Sequence, residues 1–200
     1  VVGSDRLDTL VEETQVVDTR KGEDFANGHV PGTINIPYNN KFVSWAGWLV
    51  NFDKDITLIA SAEDVDQVQT DLQSIGLDRL RFIVPVEELD ASLLTETYTD
   101  VTAEEAIEAA EKGDVFVLDV RNATEWNASH YEKAERILLG KLTRDHEGLP
   151  TDQTIAVHCA SGVRSRMAAS VLQSLGYKDI HNILGGYGAM KTVLNAQQIK

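Results

Sequence analysis

Cysteine is almost absent: Cys159 is the only one in 200 residues. A single thiol closes no internal disulfide, and a free thiol fits a reducing compartment, so the cytoplasm is the expected location. Positive charge is scarce as well. Eighteen lysines and arginines face 32 acidic residues, a formal charge of −14. No basic cluster interrupts the acidity, which excludes nucleic acid as an expected partner because its phosphates are repelled. No apolar run approaches the roughly 18 residues that span a bilayer, so no membrane-crossing helix is expected. The start, Val1-Val2, lacks both a methionine and the charged-then-apolar pattern of a signal peptide, which suggests a chain processed or cut from something longer.

What is present is enough apolar residue, 42% of the chain, to build real cores, together with a long repeat. Val16-Val17-Asp18-Thr19-Arg20 returns as Val117-Leu118-Asp119-Val120-Arg121 at a spacing of 101. Phe25 and His29 match Trp126 and His130 at the same spacing, and Leu72-Gln73-Ser74-Ile75-Gly76 matches Leu172-Gln173-Ser174-Leu175-Gly176 at a spacing of 100. That period exceeds a solenoid unit of roughly 20–50 residues and reads as a duplicated domain. In each copy short apolar runs alternate with helix-period segments, so each is predicted to be an α/β unit, a mainly parallel sheet flanked by helices. The linker is predicted within Pro85–Thr99, which holds a proline, several acids and several threonines, giving domains 1–96 and 97–200. Residues 1–97 carry 7 basic and 18 acidic groups (−11), residues 98–200 carry 11 and 14 (−3). The half holding Cys159 is therefore less hostile to an anion.

In that half, Thr102 with Glu105 predicts a capping box opening a helix that ends near Gly113. Val115–Val120 and Ile155–Val157 read as strands. Ser165–Leu175 reads as a helix stopped by Gly176, with Ala168, Val171, Leu172 and Leu175 on its buried face. Cys159-Ala160-Ser161-Gly162-Val163-Arg164 lies between strand and helix. A tight turn there sets the sulfur above backbone N–H groups at a positive helix end, which favours thiolate. Gly162 permits a backbone angle that larger residues resist. The bland alternative, a small buried core thiol, does not call for a glycine-containing turn ending in arginine.

Asp119-Val120-Arg121 after a strand, His130, the Cys159 turn and the closing Leu184-Gly185-Gly186-Tyr187-Gly188-Ala189-Met190 together resemble a rhodanese domain. Asp18-Thr19-Arg20 followed by Phe25-Ala26-Asn27-Gly28-His29-Val30-Pro31-Gly32-Thr33-Ile34-Asn35-Ile36-Pro37 resembles the signature after that family's first core strand. Phe42-Val43-Ser44-Trp45-Ala46-Gly47-Trp48-Leu49 is similar to a segment of proteins that fuse a metallo-β-lactamase-fold persulfide dioxygenase to two rhodanese units. By itself the Trp45 and Trp48 pair reads as core or inter-domain packing.

The resemblance implies two rhodanese-like domains, a fused or docked metallo-β-lactamase-fold partner, and sulfur transfer without a metal or organic cofactor. Cys159 would take sulfane sulfur from a persulfide or thiosulfate and hold it on the N–H groups of Ala160, Ser161, Gly162, Val163, Arg164 and Ser165. A thiol, sulfite or cyanide would then remove it, in sulfide and persulfide detoxification. Asp119 and Arg121 are implied to brace the loop, with a surface ion pair of small value as the alternative. Arg164 is implied to support the loop more than to react. Homo-oligomer formation is left open.

The copies differ at the thiol. Ile56–Ile59 matches Ile155–His158 at a spacing of 99, which puts Ala60 at the sulfur's place, with Ser61 the nearest hydroxyl and Glu63, Asp64 and Asp66 beside it. That loop is shorter by one residue on the repeat spacing and acidic, so it is expected to reject an anionic sulfur species. The first copy thus reads as a pseudo-domain that covers the second, shapes a wall of its cleft or docks another domain; Ser61 lacks an evident base. His158 is expected to diverge from Cys159, as adjacent strand residues do. His130 lacks the glycine and proline found around His29, and its role stays open. Arg166 is expected to be a solvated helix residue. Four residues separate Cys159 from Arg164, where related cysteine phosphatases and arsenate reductases use five, so the ring suits one sulfur atom. Those activities and a non-catalytic interaction or regulatory module remain the alternatives. Ala160 stands where many thiosulfate-using relatives carry a basic residue, which predicts preference for a thiol persulfide.

Overall fold

Continuous apolar runs become strands buried on both faces, the pattern of parallel strands covered by helices. The computed structural model describes residues 1–198, divided into two units, Val1–Thr97 and a second starting at Tyr98. Unit 1 runs α1 (Leu7–Glu13), β1 (Gln15–Asp18), α2 (Gly22–Asn27), β2 (Ile34–Asn35), α3 (Phe42–Leu49), β3 (Ile56–Ala60), α4 (Val65–Ser74) and β4 (Leu80–Pro85). Unit 2 runs β5 (Thr99–Val101), α5 (Ala103–Glu111), β6 (Val115–Asp119), α6 (Ala123–Ala128), β7 (Ala134–Arg136), α7 (Leu142–Asp145), β8 (Thr154–His158), α8 (Val163–Ser174), β9 (Ile180–Ile183) and α9 (Gly186–Gln198).

The sheet orders are β2-β1-β3-β4 and β5-β9-β8-β6-β7, with the strands paired in parallel. Aligned by the repeat, β4-β3-β1-β2 and β9-β8-β6-β7 are the same arrangement, and unit 2 adds β5 at one edge. The fold class is the expected one: α/β, two parallel sheets flanked by helices.

Local chemistry explains the elements that position the site. Thr102 caps α5 by accepting from the Glu105 N–H at 3.1 Å, and Ala103, Ala106, Ile107 and Ala110 form its buried stripe. A reciprocal capping box sits instead at α6, where Asn122 accepts from the Glu125 N–H and Glu125 accepts from the Asn122 N–H. Helix α8 starts at Val163, two residues before the expected Ser165, and is buried continuously from Met167 to Gln173.

The two units divide at Thr97 and Tyr98, inside the stretch predicted to hold the linker, and most of that stretch is packed. Between β4 and β5 the chain forms two short 3-10 turns, Val86–Glu88 and Ala91–Leu93. Leu89, Leu93 and Leu94 pack against the unit 1 core of Leu7, Leu10, Val16, Val30, Ile59 and Val84, and Glu96 bridges back to His29. Acids and threonines in this stretch hid apolar residues spaced to dock. Of the tryptophan pair on α3, Trp45 is buried, whereas Trp48 is 53% exposed and is not core.

Candidate active site

Cys159 follows the carboxyl end of β8. In unit 2 the chain leaves β8 toward β9 on one side and β6 toward β7 on the other, so the crevice between β8 and β6 is the switch point at which open parallel sheets bind ligands. Register pairs Asp119 with His158, which sets the end of β6 beside the thiol.

Four residues, Cys159–Gly162, join β8 to α8. Gly162 caps the helix at φ +109°, a left-handed conformation that favours glycine, and its N–H donates to Cys159 Sγ at 3.1 Å. The sulfur in turn contacts Ser165 Oγ at 3.6 Å. Cys159 is only 1% exposed, so the resting thiol lies at the bottom of its turn rather than in the open. Of the six amides expected to surround it, only that of Gly162 is bonded to it among the described residues. Ser161 and Val163 are exposed, Ala160, Gly162 and Arg164 partly so, and Ser165 is buried.

The turn is pinned from behind by the first turn of α9. The N–H groups of Tyr187 and Gly188 donate to the carbonyls of Cys159 (2.7 Å) and Ala160 (3.2 Å), directing loop carbonyls away from the sulfur. Gly186 makes this approach possible: at φ +57°, a Cβ there would lie 2.5 Å from the Cys159 oxygen and 2.7 Å from the Ala160 carbonyl carbon. The Arg121 guanidinium lies over the Tyr187 ring at 4.2 Å. It is clamped by Asp119 through Nε and Nη2 at 2.8–3.0 Å and donates to the Ser129 carbonyl. Both members of the pair are buried, which overturns the surface-pair alternative. A buried bidentate pair is costly to break, and here it holds the aromatic residue whose backbone holds the loop.

The remaining charges are committed. Arg164 forms a two-pronged pair with Glu125 at 2.8 and 2.8 Å; the Arg164 hydrogen bonds hold the Glu125 carboxyl below its ordinary range despite partial burial. Arg166 is not solvated: it pairs with Asp100 at 2.8 Å and reaches the Tyr98 hydroxyl at 3.3 Å. His158 turns from the sulfur, its Nδ1–H donating to the Cys159 carbonyl at 3.1 Å while Nε2 sits 3.6 Å from Asp119. Burial holds the His158 imidazolium below its ordinary range, and the Asp119 charge only partly opposes this. His130 stacks on Trp126 at 3.7 Å and bonds the Trp126 carbonyl, as His29 does with Phe25; both histidines fasten a helix end. No cluster of His, Cys, Asp or Glu among the described residues is arranged to hold a metal ion, and no helix among them is long and apolar enough to cross a membrane.

Unit 1 reproduces the frame without the thiol. Asp18 clamps Arg20, which donates to the Gly28 carbonyl, residue for residue like the Asp119–Arg121–Ser129 set. Ala60 ends β3, fully buried. Its pre-helix loop, Ser61–Asp64, is four residues, as is Cys159–Gly162 in unit 2, so it is not shorter; the missing residue is absorbed because α4 starts later than α8. Ser61 also has the basic neighbour the sequence concealed: its hydroxyl donates to Glu87 at 2.7 Å, and the Ala62 N–H donates to the same carboxylate.

Glu125, Asn182 and Tyr187 are the site residues that sequence reasoning missed or left without a role. The Asn122–Glu125 spacing was a readable signal for the first. Asn182, inside β9, offered none.

Residues 102–192 match the family model of the rhodanese-like domain. The thiosulfate sulfurtransferase GlpE of Coxiella burnetii is 27% identical over 94 residues, 47% of this chain and 88% of that protein. The tRNA uridine(34) hydroxylase of Streptococcus thermophilus is 31% identical over 121 residues, 56% of this chain but 35% of that protein. A solved rhodanese-related protein from Thermoplasma volcanium aligns with 28% identity and a TM-score of 0.44, covering 48% of this chain and 93% of its own.

Proposed function

We propose that the rhodanese-like domain of residues 102–192 is a sulfurtransferase that carries sulfane sulfur on Cys159. One observation carries the reading: a thiol at the switch point of a parallel sheet, with the Gly162 N–H on its sulfur at 3.1 Å. The Cys159 thiolate attacks the outer sulfur of a donor persulfide. The donor S–S bond breaks, the donor leaves as a thiolate that takes up a proton, and Cys159 becomes a persulfide. The amides from Ala160 to Ser165 receive its terminal charge. A thiol, sulfite or cyanide then attacks that sulfur and releases Cys159, a two-step exchange with ping-pong kinetics that needs no metal or organic cofactor.

Charge and surface favour a small organic persulfide over thiosulfate. Arg164 is neutralised by Glu125, so the loop offers no free cation to a dianion. Val163 and Leu184 are exposed apolar side chains next to Gly162 and Gly185, which approach each other across the loop; this lip suits an organic thiol. Unit 1 is a second rhodanese-like domain, read as a pseudo-domain because Ala60 replaces the thiol. The whole belongs in cytoplasmic sulfide or persulfide detoxification beside a fused or docked metallo-β-lactamase-fold domain. Steady-state assays test this: kcat/KM with a small-thiol persulfide exceeds that with thiosulfate, Cys159→Ser abolishes transfer and Ser61→Ala leaves it nearly intact. Transfer surviving Cys159→Ser refutes the reading.

A further inference from the structure

A hydrogen-bond chain of fixed direction runs from the thiol to the edge of the unit 2 sheet. Asp100 on β5 is a carboxylate and only accepts: Oδ2 takes the Arg166 Nη2–H at 2.8 Å, and Oδ1 takes the Asn182 Nδ2–H at 3.1 Å. With its NH2 committed there, Asn182 turns Oδ1 toward Ser165, whose hydroxyl donates to it at 2.6 Å. The Ser165 oxygen then presents lone pairs to Cys159, and the S–H donates to it at 3.6 Å. Asn182, Ser165 and Cys159 are all buried. Each bond in this series dictates the polarity of the next.

We propose that Asp100 is a positioning residue that sets the proton order of this chain and thereby holds Cys159 as the thiol until the order is reversed. A thiolate is stabilised by donors, yet the Ser165 hydroxyl can turn to the sulfur only by leaving Asn182 Oδ1 an unpaired buried acceptor. With asparagine at position 100, Arg166 still claims the amide oxygen, so the new NH2 faces Asn182. The Asn182 amide flips, its own NH2 bonds Ser165, and the hydroxyl is freed to donate to sulfur. Removing the Asn182 amide frees it equally, with no change of charge. The charged and titratable groups around the chain are Arg164 and Arg166 from α8, Asp119 and Arg121 from the end of β6, Glu125 from α6, His158 in β8, Tyr98 before β5 and Tyr187 from α9; all of these are kept.

This rests on Cys159 being the reacting thiol, but its readout is ionisation and not turnover, so a protein that transfers no sulfur still decides it. In the full chain, the rate of Cys159 alkylation by iodoacetamide is followed from pH 5 to 9, with thermal unfolding confirming that each variant is folded. Asp100→Asn and Asn182→Ala are expected to move the alkylation midpoint down by about one pH unit, about tenfold faster labelling below it. In a Ser165→Ala background neither change is expected to alter the rate beyond about twofold, since the hydroxyl that carries the effect is gone. A folded variant that labels no faster than the parent overturns the proposal. So does acceleration that persists without Ser165, because a through-space charge effect then explains it. Asp100 lies on an edge strand and keeps the test open should the buried Asn182 variant fail to fold.

Discussion

Arg121 illustrates how a residue far from the sulfur shapes it. Its guanidinium is buried, pairs with Asp119 and supports Tyr187, whose N–H holds the Cys159 carbonyl. Arg121→Ala leaves Asp119 charged and unpaired, and is expected to destabilise unit 2 by about 3–5 kcal/mol in urea unfolding; a loss below about 1 kcal/mol, the range of exposed pairs, contradicts the bracing role. His158 supplies a pH signature. Its folded-state affinity for protons is depressed by burial, so the unfolded chain binds the proton first and stability is lost as pH falls below the ordinary histidine value of about 6.5. Glu125, held low by Arg164, adds a second loss of the same sign below about pH 4.3. Unfolding free energy measured between pH 7 and 5 is expected to fall, and to fall less in His158→Gln; a flat profile contradicts a buried neutral imidazole. At this scale Cys159, Gly162 and the Asp119–Arg121 pair were legible because each is a rare residue type in a telling neighbourhood. The burial of the thiol and of Arg166 was not, because burial depends on what packs from elsewhere in the chain.

Helices α6 and α8 meet through one ion pair, and its chemistry tunes the loop. Glu125 spends one carboxylate on two tasks, capping α6 and neutralising Arg164. Glu125→Gln keeps an acceptor for the Asn122 N–H but removes the countercharge. The expected result is a several-fold rise in kcat/KM for thiosulfate with a smaller change for a thiol persulfide, since one uncompensated cation favours a dianion; equal changes for both donors contradict the view that Arg164 is neutralised in the native loop. In unit 2, α5, β6, β8 and α8 were readable from apolar runs and caps; β5, α6, β7, α7, β9 and α9 were not read. The early start of α8 was not: Gly162 looked like a turn residue, and only its left-handed φ at the helix boundary shows that it is the helix cap. The 85–99 stretch misled in the opposite way, its leucines diluted by acids.

Across the molecule, duplication was the most legible feature, since a spacing of about 100 residues aligns the same frame twice: clamped Asp-Arg, a stacked histidine on a helix end, and β4-β3-β1-β2 beside β9-β8-β6-β7. Identical frames with different contents show which parts are scaffold. Unit 1 keeps the clamp and fills its turn with the Glu87 carboxylate; unit 2 keeps the clamp and places a thiol there. The proposed sulfur transfer therefore depends on one atom. Intact-mass measurement of the full chain after treatment with a small-thiol persulfide tests this: a gain of one sulfur atom, lost on adding cyanide and absent in Cys159→Ser, is expected, whereas an unchanged mass, or a gain that survives Cys159→Ser, refutes it.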